Sequence, residues 1–302
     1  MVYDVIIIGS GPAGLSAAIY AQRAMLKTIV IEKDYISGGQ VNDTYEIDNY
    51  PGHKGISGFD LAEKMREHAD AMGAEFVTDN VTSVRSNGEN KTVITENGSY
   101  DTRTVIIASG ATHSKLGVPG EEELSGMGVS YCATCDGAFF KDKTVAVVGG
   151  GDVALEDAIY LARTSSKVYV IHRRDEFRGA RVLSERLLEM PNVEVLWNTE
   201  VKSIKGNGRV DRLDIFNNKE NKESELPVDG VFIAVGIKPN SEVFASCVEI
   251  DSAGYIIADE TCATGTEGIF AAGDVRRKQL RQIVTAVADG ANAVTSAEKL
   301  IK

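Results

Sequence analysis

A short β-branched apolar run, Asp4–Ile8, passes directly into Gly9-Ser10-Gly11-Pro12-Ala13-Gly14 and then into an Ala-rich stretch, Leu15–Ala24, patterned as a helix. A second apolar run, Thr28–Ile31, ends at Glu32. The same succession returns later. Thr144–Val148 leads into Gly149-Gly150-Gly151-Asp152-Val153-Ala154, a helical stretch to about Arg163, and a strand-like run Lys167–Ile171 that ends at His172-Arg173-Arg174. Two such βαβ openings predict an α/β protein with two Rossmann-like, three-layer ββα dinucleotide-binding domains.

Turn-rich punctuation marks the crossings between them. Ser109-Gly110-Ala111 and Gly117-Val118-Pro119-Gly120 separate the two copies, and Gly236-Ile237-Lys238-Pro239-Asn240 marks a return. After it come a strand-turn pattern, Gly268–Asp274, and a helical stretch from about Ile283 to Leu300. The middle domain is therefore expected as an insertion: residues 1–115 and 243–302 in one domain, 116–242 in the other.

A strand that runs straight into a helix leaves unpaired backbone N–H groups at the positive end of the helix dipole, and glycines let a pyrophosphate approach both. In the first loop Gly9, Gly11, Pro12, Ala13 and Gly14 are the candidates, and in the second Gly149, Gly151, Asp152, Val153 and Ala154. The residues at the end of each second strand separate the ligands. Glu32 suits ribose hydroxyls, whereas Arg173, Arg174 and Arg178 beside His172 suit a 2′-phosphate, so the second site favours NADPH over NADH. The alternative for His172–Arg178 is a solvated face with internal ion pairs. Two nucleotides in one chain call for an intermediary, and FAD in the first site provides one, because a flavin accepts a hydride and then delivers both electrons to a disulfide.

The chain has 302 residues, 43% of them hydrophobic and 25% charged, which suits two soluble domains of ordinary size. No window approaches the run of about eighteen apolar residues that a membrane span needs. The amino terminus has no basic region and too short an apolar run for a signal peptide, so a cytoplasmic protein is expected. Lys and Arg number 32 against 44 Asp and Glu, a net charge of −12 that argues against nucleic acid or an anionic membrane as the partner.

Four cysteines, Cys132, Cys135, Cys247 and Cys262, are too few for a disulfide scaffold in a chain of this length. Cys132-Ala133-Thr134-Cys135 has the spacing of a disulfide that closes and opens readily. A zinc site lacks two further ligands near the pair, so no metal is expected. Cys247 and Cys262 read as small buried apolar residues. Asp136 is a candidate acid/base for a thiolate and equally a helix or turn cap beside Gly137.

These pieces occur in one order with Gly38-Gly39-Gln40, Asp48-Asn49-Tyr50-Pro51-Gly52, Cys132-Ala133-Thr134-Cys135-Asp136-Gly137, His172–Arg178, Gly273-Asp274-Val275 and Arg281-Gln282, over nearly the whole chain. In this combination the chain resembles the low-molecular-weight, bacterial-type thioredoxin reductases of the class II pyridine nucleotide-disulfide oxidoreductases. The resemblance implies NADPH-dependent reduction of thioredoxin through FAD and the Cys132/Cys135 disulfide, a homodimer, and domains that rotate between two states. It also implies FAD contacts at Gly39, Gln40, Asn49, Gly273, Asp274, Arg281, Gln282 and Ile283, with the backbone near Val81 at the adenine. Cys135 would lie nearer the flavin, Cys132 would attack thioredoxin and Asp136 would protonate. Val153 stands where relatives often carry a small polar residue, and the helix expected to carry Arg178 continues to Arg181, which could share the phosphate. A flavoprotein reductase of another thioredoxin-like or peroxiredoxin partner is the alternative, although the peroxiredoxin-reducing chains usually carry an additional amino-terminal thioredoxin-like region for which a first strand at Asp4 leaves no room. A nucleotide-bound sensor is the non-enzymatic alternative, and it would have no use for Cys132, Cys135 and Asp136.

Overall fold

The computed structural model describes residues 2–44, 47, 49–88 and 90–302, with Asp43 and Asn87 described by their backbone alone. Asp48, part of the Asp48–Gly52 motif, lies outside the described residues. The first apolar run forms strand β1 (Val2–Ile8), in which Val5, Ile6, Ile7 and Ile8 are all buried. Only a strand covered on both faces needs an unbroken run of this kind. Val5 and Ile7 pack with helix residues Leu15, Ala17 and Ala293, while Ile6 and Ile8 pack with Val84, Val93 and Phe244 on the opposite face.

The chain continues through helix α1 (Pro12–Arg23), β2 (Thr28–Glu32), helix α2 (Gly58–Ala71), β3 (Glu75–Thr78), β4 (Val81–Asn87), β5 (Asn90–Thr95), β6 (Ser99–Ile107) and the short β7 (Ala111–His113). These give a sheet of order β3-β2-β1-β6-β5-β4, parallel from β3 to β6 and antiparallel through β5 and β4.

The second glycine loop repeats the plan. After β8 (Val129–Ser130) and the single-turn helix α3 (Ala133–Asp136) come β9 (Thr144–Gly149), α4 (Asp152–Leu161), β10 (Lys167–His172), α5 (Arg181–Leu188) and β11 (Val193–Trp197). A meander follows of β12 (Thr199–Gly206), β13 (Val210–Asn217) and β14 (Lys222–Pro227), and then β15 (Gly230–Ala234). The main sheet is wholly parallel, in the order β11-β10-β9-β15-β8, and the meander is a separate antiparallel sheet. Val145 and Val147 of β9 pack with α4, whereas Ala146 and Val148 pack with meander residues Ile204 and Leu213.

The chain then passes through β16 (Ile237–Pro239) to β17 (Ile269–Ala271), which pairs with the carboxyl half of β6, and to helix α6 (Ile283–Ile301). Helix α6 packs on α1. Its Gly290 permits this, since a Cβ there would stand 2.2 Å from the Ala13 carbonyl oxygen. The chain divides into two compact units, one of Met1–Asn42, Tyr50–Thr112 and Lys238–Lys302, the other of Asp43–Asn49 and His113–Ile237. No helix among the described residues is long and apolar enough to cross a membrane.

Candidate active site

The glycines of each loop fall into two kinds. Gly9 takes φ +102°, and a Cβ on Gly14 would stand 1.9 Å from the Gly9 carbonyl oxygen, so the turn itself requires both. Gly11, the N-cap of α1, has extended backbone that any residue adopts, and a Cβ there would meet only the Gly38 carbonyl oxygen, at 3.8 Å. Gly151, the N-cap of α4, is also extended, and a Cβ there would meet nothing within 4 Å. Neither helix has a side-chain cap, although α2 is capped by Ser57 and α6 by the reciprocal Gln282/Thr285 pair. Pro12 and Ala13 occupy the first turn of α1, and Asp152, Val153 and Ala154 that of α4. Space and free N–H groups therefore coincide at both loops.

In the first unit, Glu32 is bound to its own loop: Oε2 accepts from the Ser10 N–H at 2.6 Å and the Ser10 hydroxyl at 2.8 Å. A Cβ on Gly273 would stand 2.9 Å from the Ala13 Cβ, so the turn at Gly273-Asp274 meets the first loop. Asp274 Oδ1 and Arg281 Nε are buried without a hydrogen-bond partner. Burial pushes the Asp274 carboxyl up, against the pull of Lys278 and Arg281. The Arg281 guanidinium lies 3.9 Å from the Tyr255 ring centroid. Gln282 and Ile283 begin α6, Gly39 and Gln40 lie on the turn Gly39–Asp43, and Gln40 Nε2 donates to the Ala111 carbonyl. Val81 is buried at the start of β4, and exposed Asn49 falls in the Asp43–Asn49 segment of the second unit.

In the second unit, Arg178 corrects one expectation. It lies on a loop, and helix α5 begins only at Arg181. The Arg178 and Gly179 N–H groups donate to the Gly150 carbonyl at 2.8 and 3.1 Å, and the Ala180 N–H donates to Asp152 Oδ1 at 2.6 Å. These bonds to the glycine loop take the place of helical ones. Arg173, Arg174 and Arg178 are exposed and form no ion pair among the described residues, so the segment is not a face of internal ion pairs. His172 is buried beneath the loop, where a Cβ on Gly150 would meet its ring at 2.2 Å. Burial and then Arg174 and Arg178 push its pKa down, against a bond between Nε2 and the Glu176 carbonyl at 3.0 Å.

Cys132 and Cys135 form a disulfide, with Cys132 as the N-cap of α3. Asp136 ends that helix and caps nothing with its side chain. Its Oδ2 accepts from the Ser130 hydroxyl at 2.6 Å, its Oδ1 is buried without a partner, and burial pushes its pKa up against that bond. Cys262 is fully buried and Cys247 half-buried, with burial raising their thiols to about 12 and about 11.

The model of pyridine nucleotide-disulphide oxidoreductases matches residues 3–290. The chain belongs to this family. It is 48% identical over its whole length to a thioredoxin reductase of Listeria innocua, covering 94% of that protein, and 47% identical to one of Bacillus subtilis, covering 95%. A crystal structure of thioredoxin reductase from Streptococcus pyogenes superposes with TM-score 0.95 at 46% identity, covering 99% of this chain and 98% of that one.

This family works with FAD and NADPH, and the residues present fit both. The open space at Gly11 and the orphaned polar atoms of Asp274 and Arg281 fit a group rich in hydroxyls and phosphates in the first unit. The space at Gly151 and the three arginines without ion pairs fit a phosphorylated nucleotide in the second. Sequence reasoning missed Ser10, Ser130, the buried orphan Asn42 Oδ1, and Asp157, whose carboxyl burial and Glu156 raise to about 7. It also missed the buried cluster of Asp289 with Arg276 and Lys278, for which the one sequence signal was an acidic residue on the apolar face of a helical stretch.

Proposed function

We propose that the chain is an NADPH-dependent thioredoxin reductase that passes electrons through FAD to the Cys132/Cys135 disulfide and on to oxidised thioredoxin. The observation that carries this reading is the Cys132–Cys135 disulfide followed directly in the chain by Asp136, whose Oδ1 is buried without a hydrogen-bond partner among the described residues, in a chain that folds the dinucleotide loop twice. Bound FAD supplies a two-electron carrier able to reduce a disulfide.

The chain's own residues do the remaining work. Gly9–Gly14, Gly39, Gln40, Val81 and the Gly273–Asp274 and Arg281–Ile283 segments hold FAD, with Glu32 and Ser10 shaping the first loop. Gly149–Ala154 receives the NADPH pyrophosphate, while Arg173, Arg174 and Arg178 bind its 2′-phosphate. Cys135 takes the electrons, Cys132 attacks the thioredoxin disulfide, and Asp136, whose burial favours its protonated form, supplies a proton to a thiolate. The homodimer and the cytoplasmic location rest on the family resemblance and on the cysteine usage, and light scattering of the purified protein checks the first. A coupled assay with NADPH, NADH and a panel of thioredoxins tests the activity. NADPH-dependent reduction of a thioredoxin is expected, and a yellow protein that NADPH bleaches but that reduces none of the panel would refute the proposed acceptor.

A further inference from the structure

We infer that Ser130 is the positioning residue for the acid/base carboxyl: it anchors Asp136 through Oδ2 and leaves Oδ1 as the oxygen that exchanges a proton with the Cys132/Cys135 pair. This rests on Asp136 being the proton donor of the proposed reductase.

Ser130 Oγ stands 2.6 Å from Asp136 Oδ2, 3.1 Å from the Cys132 nitrogen and 3.4 Å from the Cys132 carbonyl oxygen. A hydroxyl has one proton and two acceptor positions. The Cys132 N–H can only donate, so it occupies one acceptor position. The single Ser130 proton then chooses between Oδ2 and the Cys132 carbonyl, and the shorter contact, to a group that carries charge when ionised, wins. Ser130 is 5% exposed and sits in β8 opposite Phe232 of β15, so strand pairing fixes where this hydroxyl is offered.

This geometry makes the two carboxyl oxygens unequal. A proton on Oδ1 leaves both Ser130 bonds in place. A proton on Oδ2 forces the hydroxyl to turn to the longer contact at the Cys132 carbonyl. Oδ1 is therefore the favoured site, and it is also the oxygen buried without a partner among the described residues. When two electrons break the Cys132–Cys135 bond, two thiolates form. Transfer of the Oδ1 proton then leaves one thiol, one thiolate and a carboxylate that the Ser130 hydroxyl stabilises.

Among the described residues, the Ser130 hydroxyl is the hydrogen-bond partner of this carboxyl, and the titratable groups on the neighbouring elements lie in their own contacts or on their own helix. Helix α4, packed against α3, carries Asp152, Glu156, Asp157 and Tyr160, and the Tyr160 ring faces Gly137. The turn Gly137–Phe140 carries none and is followed by Lys141, while Tyr131 directs its hydroxyl to Glu121 at 2.8 Å. Burial pushes the Asp136 carboxyl up, and the Ser130 bond opposes it.

The test is the titration midpoint of Asp136 in oxidised, FAD-loaded protein labelled with ¹³C-aspartate, its carboxyl resonance assigned by its loss in Asp136→Asn. Ser130→Ala removes a bond to the charged form, so the midpoint should rise by about one to two pH units, the equivalent of one hydrogen bond to a charged group. Ser130→Thr keeps the hydroxyl and should restore the original midpoint. The pH profile of thioredoxin turnover should move in the same direction in Ser130→Ala. FAD content and thermal midpoint report folding, and Ser130→Gly replaces the alanine variant if that protein does not retain FAD. An Asp136 midpoint unchanged without the hydroxyl, or a threonine variant that titrates like the alanine one, overturns the inference. Because the midpoint is read without thioredoxin, a protein that shows the shift yet reduces no thioredoxin would overturn the functional reading and keep the Ser130 anchor.

Discussion

Asp289 of helix α6 grips Arg276 with both carboxylate oxygens, Oδ2 to Nε at 2.9 Å and Oδ1 to Nη2 at 3.0 Å, and both side chains are buried. Oδ2 also accepts from Lys278 Nζ at 2.7 Å and from the Gly273 N–H at 2.9 Å. One carboxylate thus fixes the Gly273-Asp274 turn and the chain leading to Arg281. Arg276 in turn donates Nη1 to the Asp259 carbonyl at 3.1 Å.

Removing that carboxylate leaves two buried cations with reduced compensation. Asp289→Ala should cost about 3–5 kcal/mol, the usual penalty for breaking a buried pair from one side. Urea unfolding of the FAD-free protein checks the stability, and FAD titration checks the turn. A loss below about 1 kcal/mol would mean that the cluster is not a structural centre. Burial by itself would raise the Asp289 carboxyl, but the Arg276 and Lys278 bonds hold it below its ordinary range. Its folded pKa is depressed, so its contribution is present above the unfolded carboxylate value, about 3.9, and is lost as pH falls through the folded value. Asp289→Asn should accordingly flatten the acid side of the stability profile.

The two kinds of loop glycine should respond differently to alanine. Gly151→Ala adds a methyl where nothing lies within 4 Å, so the fold should be unaffected or gain about 0.4–1 kcal/mol while NADPH binding weakens. Gly14→Ala sets a Cβ 1.9 Å from the Gly9 carbonyl oxygen and should destabilise the unit by about 1–3 kcal/mol. Thermal unfolding beside nucleotide titration separates the two, and a Gly151→Ala protein with undiminished NADPH affinity would remove the pyrophosphate from that space.

Arg173 and Arg174 are exposed and lack ion-pair partners among the described residues, so their charge is available to a phosphate. The double substitution Arg173→Ala, Arg174→Ala should abolish most discrimination between NADPH and NADH, on the order of a hundredfold, since each charge-assisted bond is worth about 1.5–3 kcal/mol. The ratio of kcat/KM for the two nucleotides measures it. Equal use of both by the unsubstituted enzyme would contradict the assignment.

Cys135→Ser should bind FAD and still allow NADPH to bleach it, because neither glycine loop includes this thiol. Thioredoxin turnover should vanish. Stopped-flow flavin absorbance beside the coupled assay checks both halves, and ordinary thioredoxin reduction by this variant would exclude the cysteine pair as the relay.

The sequence by itself determined whatever is encoded over short separations. The runs Val5–Ile8 and Val145–Val148, each leading into a glycine loop and a helix, were legible because strand, turn and helix each arise from the pattern of neighbouring residues. The Cys132/Cys135 disulfide was legible too, since a separation of three residues sets the ring. Only the tertiary structure decided which polar atoms meet. Glu32 reaches back 22 residues to Ser10, Asp289 reaches 13 residues to Arg276, and even Asp136, only six residues on, meets Ser130 only once the chain turns from β8 into α3. Arg178 left the expected helix because the Gly150 carbonyl, far back along the chain, offered its N–H a partner. A hydrogen bond needs its partners within about 3 Å, and a chain that turns through a helix, a strand or a loop before closing that distance leaves no mark of it in local residue order.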